Sequence, residues 1–221
     1  MPGQFRDHNF IWLTVALFGL MLGGAFSRAL PDSITLRIFE IGSVALLLLA
    51  LMSLKASRTG IKRFVLIIGI MLSLVVAQEF SNSLLFEYFY LILLMVFLTL
   101  AAWIVGGAVL FTGSVDFNKV VGSVALYLLI GLIFSIIYTI LLEFSPTAIK
   151  GLEAASWYDN MPSTTYFSFV TLTTLGFGDM SPATHIAEVI VIMEAVTGMF
   201  YIAIIVASLI GAMRIKPRSG E

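Results

Sequence analysis

The sequence of 221 residues contains no cysteine, two histidines and few charged side chains. Without cysteine the chain cannot form a disulfide, a thiolate metal site or a cysteine nucleophile. His8 and His185 are too few and too far apart in the sequence for a metal cluster within one chain. No Ser/His/Asp arrangement, phosphate-binding loop or carboxylate pair is visible, so the sequence indicates no enzyme activity. Nothing indicates nucleic-acid binding.

The scarcity of charge is the strongest signal about the class of protein. Charged residues make up 11% of the chain and hydrophobic residues 60%, whereas about a quarter of the residues in a soluble domain are charged. The net charge of −1 says little about partners, because in such a chain the location of each charge matters more than the sum. We therefore expect an integral membrane protein surrounded by lipids.

Six apolar stretches are long enough to span a bilayer, which requires about 20 residues. They cover roughly residues 10–29, 34–54, 61–79, 84–111, 119–143 and 185–213. A seventh apolar stretch, about 162–173, is too short to cross and leads directly into a glycine-containing motif. This arrangement is typical of a re-entrant helix, with Pro162 tolerated in its first turn.

The distribution of Lys and Arg predicts the orientation in the membrane. Basic residues lie before the first stretch, between the second and the third, and after the sixth. With six spans these three places share one side, and cytoplasmic loops carry the excess of Lys and Arg. Both termini are then cytoplasmic and the glycine motif faces outward. Cleavage of the first stretch as a signal peptide would leave five spans, which conflicts with this distribution.

The glycine motif is Thr171-Leu172-Thr173-Thr174-Leu175-Gly176-Phe177-Gly178-Asp179. Glycine tolerates backbone angles that other residues resist, so Gly176 and Gly178 allow successive carbonyl oxygens to point the same way. A row of carbonyls, supplemented by a threonine hydroxyl, can replace the water shell of a cation. One strand cannot surround an ion, so this interpretation requires several copies around an axis. The alternative, an ordinary turn at the membrane surface, does not explain the apolar lead-in.

Residues from about 119 to 213 resemble the pore module of the tetrameric potassium-channel superfamily. The matching sequences are Tyr166-Phe167-Ser168-Phe169-Val170 in the pore helix, Thr174 to Asp179 in the selectivity filter, Met180-Ser181-Pro182 after it, and Glu194-Ala195-Val196-Thr197-Gly198 in the inner helix. The filter signature of the family is Thr-Val-Gly-Tyr-Gly-Asp. Leu175 and Phe177 are conservative departures from it.

The resemblance implies a homotetramer that conducts K⁺. The carbonyls of Thr174, Leu175, Gly176 and Phe177, with the Thr174 hydroxyl, would form stacked K⁺ sites, and Gly178 would contribute at the outer mouth. The side chains of Leu175 and Phe177 would point away from the axis and pack behind the filter. K⁺ is then the permeant ion, and no organic cofactor is implied.

The support behind the filter departs from the family pattern. In many relatives the residue that matches Asp179 is held by a tryptophan or glutamate of the pore helix, but the matching positions here are Phe167 and Val170. Neither side chain can hydrogen-bond a carboxylate. Tyr166 or a neighbouring subunit is the candidate substitute. We therefore expect a filter that is more prone to collapse in low K⁺ than a clamped one.

The sixth stretch carries an ionisable residue, Glu194, which is costly within a span and marks a functional hypothesis. We expect its carboxyl to be protonated or hydrogen-bonded and to pack against Thr171 or Thr173, so that Thr173 and Glu194 belong to the filter support. A gating proton sensor is the alternative role for Glu194. Gly198 is either a hinge or a site of close packing.

Helical spacing from Gly198 places Met199, Ile202 and Val206 toward a central cavity. There they would form an apolar lining that gates by dewetting. The alternative is that these side chains pack against neighbouring helices.

The sequence divides into a four-helix unit at 1–111, a linker at 112–118 and a pore domain at 119–221. The first unit resembles a voltage-sensor domain, but its fourth stretch, 84–111, contains no Lys or Arg. Voltage sensors carry a series of arginines in that span. Arg37 and Glu40 in the second stretch can form at most one buried pair, which cannot supply steep voltage dependence.

The sequence thus predicts an all-α membrane protein with six transmembrane helices, a re-entrant pore helix and a filter, assembled as a homotetramer in the cytoplasmic membrane of a bacterium. Its predicted function is K⁺-selective conduction without conventional voltage gating. A poorly selective cation channel and a non-conducting signalling subunit with a vestigial filter are the alternatives. A potassium-uptake transporter is disfavoured, because that design normally repeats its filter four times in one chain.

Overall fold

A computed structural model describes residues 10–27, 58–80, 84–110, 117–152 and 155–214, together with Gly42. Within these residues the chain is almost entirely helical. The helices are α1 (Phe10–Ser27), α2 (Arg58–Phe80), α3 (Leu84–Leu110), α4 (Phe117–Phe144), α5 (Trp157–Leu172) and α6 (His185–Arg214). Apart from Gly42, the predicted second span at 34–54 and its Arg37–Glu40 pair lie outside the described residues.

Three of the described helices are long and apolar enough to cross a membrane. The qualifying segments are Leu85–Val109 in α3, Phe117–Phe144 in α4 and His185–Ile205 in α6. Shorter apolar segments, Phe10–Leu22 in α1 and Val65–Leu74 in α2, coincide with two further predicted spans. The structure therefore supports a helical membrane protein, and the count of six spans stays a prediction.

α4 is the helix around which α1, α3, α5 and α6 pack, whereas α2 packs on α3. Its buried residues recur along its length from Gly122 to Leu142, as expected for a helix that is apolar around its whole circumference. The N–H of Phe10 donates to Asn118 Oδ1 at 3.0 Å and so fixes the start of α1 beside the start of α4.

Buried hydroxyl groups join α4 to α5. Ser135 Oγ lies 2.8 Å from Thr165 Oγ1, and Thr139 Oγ1 lies 2.8 Å from Thr164 Oγ1. Each hydroxyl finds a partner inside an otherwise apolar contact, so none of these four carries the cost of an unsatisfied buried group. These pairs give the two helices a defined register along their shared face.

α5 begins at Trp157, five residues before the predicted start, and this corrects the sequence analysis. Ser156 is the N-cap residue, its carbonyl accepts the N–H groups of Asp159 and Asn160, and its hydroxyl donates to Asp159 Oδ2 at 2.5 Å. Asp159 and Asn160 in the first turn interrupt the apolar run, which is why the apolar pattern begins later. Pro162 consequently lies inside the helix rather than in its first turn, and it removes one intrahelical N–H.

A two-residue antiparallel β-ladder closes the loop around α5. β1 (Ile149–Lys150) pairs with β2 (Ser181–Pro182), with Ile149 opposite Pro182. The loop leaves β1 through Gly151, whose φ of +85° favours glycine. A Cβ atom at Gly151 would lie 2.3 Å from the Asp179 carbonyl oxygen. The loop before α5 therefore presses directly on the backbone that follows the glycine motif.

Candidate functional site

The segment that follows α5 is bonded back to the last turn of that helix. The Thr174 N–H donates to the Thr171 carbonyl at 2.9 Å, and the Leu175 N–H donates to the Val170 carbonyl at 2.9 Å. The Gly176 N–H approaches the same Val170 oxygen at 3.4 Å. Because three successive amide groups face the helix, the carbonyls of this segment remain for a different partner.

The backbone of the motif alternates in the sign of φ. Thr174 has φ +58°, Gly176 +56° and Gly178 +81°, whereas Leu175 and Phe177 have no positive φ. This alternation turns successive peptide planes over, so that neighbouring carbonyls can share one side. The sequence predicts the two glycines in this role but not Thr174. A positive φ is uncommon for a β-branched residue and is retained where the surroundings impose it.

Asp179 is held by a side chain of the same chain. The Tyr166 hydroxyl donates to Asp179 Oδ2 at 2.8 Å, and this bond is the main reason that the pKa of Tyr166 lies above its ordinary value of 10. The Tyr166 ring also stacks on Phe177, with centroids 6.5 Å apart and planes 3° apart. Tyr166, one of the two candidate substitutes, therefore bonds Asp179 within one chain, and the expected collapse of the filter in low K⁺ stays a prediction.

The two positions where relatives carry the clamp are instead part of the apolar packing. Phe167 is 4% exposed and Val170 is 9% exposed. The Phe167 ring meets Tyr138 edge to face at a centroid distance of 4.9 Å, a geometry that aromatic pairs favour. Phe167 therefore attaches the back of α5 to α4, and the polar contact to Asp179 comes from the preceding residue, Tyr166.

Leu175 and Phe177 are 58% and 65% exposed. On the side of α5 they border an apolar cavity of about 450 Å³. The cavity is also lined by Leu20, Met21, Leu132, Met161, Pro162, Thr165, Tyr166, Phe169, Val170 and Thr173. The motif thus offers an apolar surface that a single chain covers only in part.

Thr173 is the C-cap residue of α5 and lies directly before the alternating segment. Its N–H donates to the Phe169 carbonyl at 3.0 Å, and its hydroxyl donates to the same oxygen at 2.6 Å. The side chain is exposed. Its contacts therefore stabilise the end of the helix, and its assignment to the filter support stays a prediction.

Glu194 is completely buried, at 0% exposure. The Tyr138 hydroxyl donates to Glu194 Oε2 at 2.6 Å, and Ser168 Oγ lies 2.5 Å from Glu194 Oε1. The expected partners Thr171 and Thr173 are wrong. Tyr138 and Ser168 could not be found from the sequence, because helical spacing does not show which faces of α4 and α5 turn toward α6.

Gly198 is a site of close approach between α6 and α5. A Cβ atom there would lie 2.0 Å from the Leu172 carbonyl oxygen and 2.9 Å from its carbon. The same oxygen accepts the Tyr127 hydroxyl of α4 at 3.1 Å. Of the two roles that the sequence leaves open, the structure supports close packing. α4 and α6 together hold the carbonyl at the end of α5.

Two of the three predicted cavity-lining residues lie on the outer surface of the single chain. Met199 is 60% exposed and Ile202 is 47% exposed, whereas the Val206 side chain lies outside the described residues. This placement leaves both interpretations open, since an apolar pore lining and a contact with a neighbouring helix each require such a surface.

Comparison with known proteins adds one match. Residues 123–214 match the family model described as "Ion channel", and this segment contains most of α4, all of α5, the glycine motif and α6. No curated protein and no solved structure matches the chain significantly. The match covers less than half of the chain. Together with the apolar helices and the short helix leading into the motif, it shows that residues 123–214 are similar to ion channels.

Proposed function

We propose that the protein is a K⁺-selective channel in which four copies surround one axis. Each copy contributes the segment Thr174 to Gly178 as one wall of a selectivity filter. The observation that carries the proposal is the alternation of positive φ at Thr174, Gly176 and Gly178, in a segment whose amide groups face α5. K⁺ enters by exchanging its water ligands for the carbonyls of residues 174 to 177 and the Thr174 hydroxyl.

The exposed apolar side chains of the motif support an assembly of several copies. Leu175 and Phe177 remain 58% and 65% exposed in one chain, beside a partly covered apolar cavity. α6 likewise carries exposed Met199 and Ile202. A neighbouring copy that covers these surfaces also supplies the further carbonyls that a cation needs.

The direction of α5 favours a cation below the filter. The C-terminus of a helix carries partial negative charge, and α5 ends at Leu172, just before Thr174. Four such ends would face one central cavity. The hydrogen bond from Tyr127 to the Leu172 carbonyl and the close approach of α6 at Gly198 would keep these ends in place.

The proposed channel is not opened by conventional voltage sensing. In the described helix Leu84–Leu110 there is no Lys or Arg, and its acidic residue, Glu87, lies in the first turn. Movement of basic residues through the field is the source of steep voltage dependence. We infer a gate at the apolar inner part of α6, around Met199, Ile202 and Val206. We further infer that the protein lies in a bacterial cytoplasmic membrane and that both termini are cytoplasmic.

Ion flux into liposomes tests the proposal. Purified protein should admit K⁺ or Rb⁺ far faster than Na⁺, and Ba²⁺ should block this flux. Gly176→Ala should abolish conduction or selectivity, because a left-handed backbone costs a non-glycine residue roughly 1–2 kcal/mol and φ is +56° there. Gly107→Ala is the matched control, since a Cβ atom at this helical position meets nothing within 4 Å.

Each alternative function has its own outcome in the same assay. Equal K⁺ and Na⁺ flux would contradict selectivity and favour a general cation channel. Absence of flux under every condition in which the protein stays folded would favour a vestigial filter in a signalling subunit.

A further inference from the structure

Three short oxygen–oxygen contacts are buried where α4, α5 and α6 meet. Tyr138 of α4 reaches Glu194 of α6 at 2.6 Å, and Glu194 reaches Ser168 of α5 at 2.5 Å. Ser168 Oγ also lies 2.7 Å from the carbonyl oxygen of Gly131 in α4. Tyr138, Ser168 and Glu194 are each 0% exposed, so bulk water does not reach these side chains.

If the Glu194 carboxyl is ionised, the three contacts require more protons than the surrounding groups supply. Oxygen atoms this close are held together only if a proton lies between them, so three contacts require three protons. The Tyr138 hydroxyl supplies one and the Ser168 hydroxyl supplies one. With ionised Glu194, Ser168 can donate to the carboxylate or to Gly131, but not to both, and one pair of oxygens is left without a proton.

A protonated carboxyl completes the arrangement. Its O–H on Oε1 donates to Ser168 Oγ, the Ser168 hydroxyl donates to the Gly131 carbonyl, and Tyr138 donates to Oε2. Every oxygen–oxygen contact then contains one proton, in a direction that the distances permit. The remaining surroundings agree, since the described contacts of the Glu194 carboxyl include no Lys, Arg or His side chain, and an unpaired buried carboxylate is costly.

We propose that Glu194 is a neutral carboxylic acid at neutral pH and that it positions the pore helix α5 against α4 and α6. It acts on the filter through Ser168, which lies six positions before Thr174. This inference deepens the proposed K⁺ channel and rests on it only for the effect on conduction. The titratable groups that face the carboxyl are Tyr138, which bonds it, and Tyr127, which is near enough to be influenced by it. Both are neutral as phenols, so neither supplies a positive charge that would pair with an ionised Glu194.

Infrared difference spectroscopy tests the protonation directly and requires no conduction. A carboxylic acid has a C=O stretching band that a carboxylate lacks. The spectrum of the wild-type protein minus that of Glu194→Gln, at neutral pH, should contain this band. Tyr138→Phe should move the band to higher frequency, because a hydrogen bond donated to a carbonyl lowers its stretching frequency. Absence of the band from the difference spectrum would overturn the proposal.

Glu188→Gln is the matched control for this measurement. Glu188 lies on the same helix but is exposed and bonds His185 at 3.1 Å. Its substitution should remove no band of a protonated acid. If the Glu188 variant removed the same band as the Glu194 variant, the signal would not belong to the buried carboxyl and the proposal would fail.

A pair of substitutions tests the positioning role. Gln at position 194 is neutral, can donate to Ser168 and can accept from Tyr138, so Glu194→Gln should keep wild-type hydrogen exchange in α5 and wild-type selectivity. Glu194→Ala should speed exchange in α5 at least several-fold and lower the K⁺ over Na⁺ flux ratio. A Gln variant as impaired as the Ala variant would show that charge is needed and would contradict the proposal.

The two proposals fail in different ways. If the wild-type protein carries the acid band and the Ala variant loosens α5, but no K⁺ flux is seen, then the channel function is wrong and the role of Glu194 stands. If K⁺ flux is selective but the band is absent, then the role of Glu194 is wrong and the channel function stands.

Discussion

Substitution of Gly198 by alanine tests the contact between α6 and the end of the pore helix. The added Cβ atom would lie 2.0 Å from the Leu172 carbonyl oxygen, whereas close carbon–oxygen contacts are about 3.3 Å. α5 and α6 must therefore separate by roughly 1 Å or more. The obstacle is backbone on both sides, so no side-chain rotation can relieve it.

The expected cost follows from overpacking of a close contact. Such insertions destabilise by about 1–3 kcal/mol, and the displaced carbonyl belongs to the residue two positions before Thr174. We expect Gly198→Ala to lower thermal stability and to reduce the K⁺ over Na⁺ flux ratio in liposomes. Gly107→Ala should do neither, because a Cβ atom at Gly107 meets nothing within 4 Å and alanine is the better helix former by about 0.5–1 kcal/mol.

The same pair of variants separates close packing from a hinge. If Gly198 acted only as a hinge, alanine would change how often the channel opens and would leave selectivity and stability at wild-type values. That result, or a Gly198→Ala protein indistinguishable from Gly107→Ala, would refute the contact with Leu172.

Three further predictions concern the outer mouth. Tyr166→Phe removes the hydroxyl that bonds Asp179, so conduction should be lost several-fold faster than in the wild type after K⁺ is withdrawn; equal rates would show that the bond does not support the filter. That bond raises the pKa of Tyr166, so the stabilisation it gives is present up to pH 10 and disappears only as the pH rises through the higher pKa of the folded state. The rate at which the wild type loses conduction after K⁺ withdrawal should therefore be the same at pH 7 and pH 9. A change in that rate which depends on Tyr166 would contradict this assignment. Gly151→Ala places a Cβ atom 2.3 Å from the Asp179 carbonyl at φ +85°, which costs about 1–2 kcal/mol in backbone strain alone; a lower melting temperature is expected, and an unchanged one would refute the tight loop.

The parts of the fold that depend on local composition could be predicted from the sequence. The stretches predicted at 119–143 and 185–213 correspond to α4 at Phe117–Phe144 and α6 at His185–Arg214. A long apolar run determines a helix whatever it packs against. The start of α5 could not be found in this way, because the N-cap Ser156 and the residues Asp159 and Asn160 interrupt the apolar run there.

The parts of the site that depend on contacts between helices could not be predicted. Glu194 was singled out because a carboxyl within a span is unusual, but its partner Tyr138 lies 56 positions away. The positive φ at Thr174 has no signal in the residue type, since threonine disfavours that conformation. The number of spans, the tetramer and the K⁺ sites stay predictions, since they depend on residues or copies beyond the described chain.

The central claim is that the alternating segment from Thr174 to Gly178 selects K⁺. The most direct measurement is the reversal potential of single channels in a planar bilayer, with Na⁺ in excess and equal on both sides and a tenfold K⁺ gradient. A K⁺-selective filter places the reversal potential near the K⁺ equilibrium value, about 59 mV from zero for a tenfold gradient. A reversal potential near zero, in channels that conduct under these conditions, would contradict the claim.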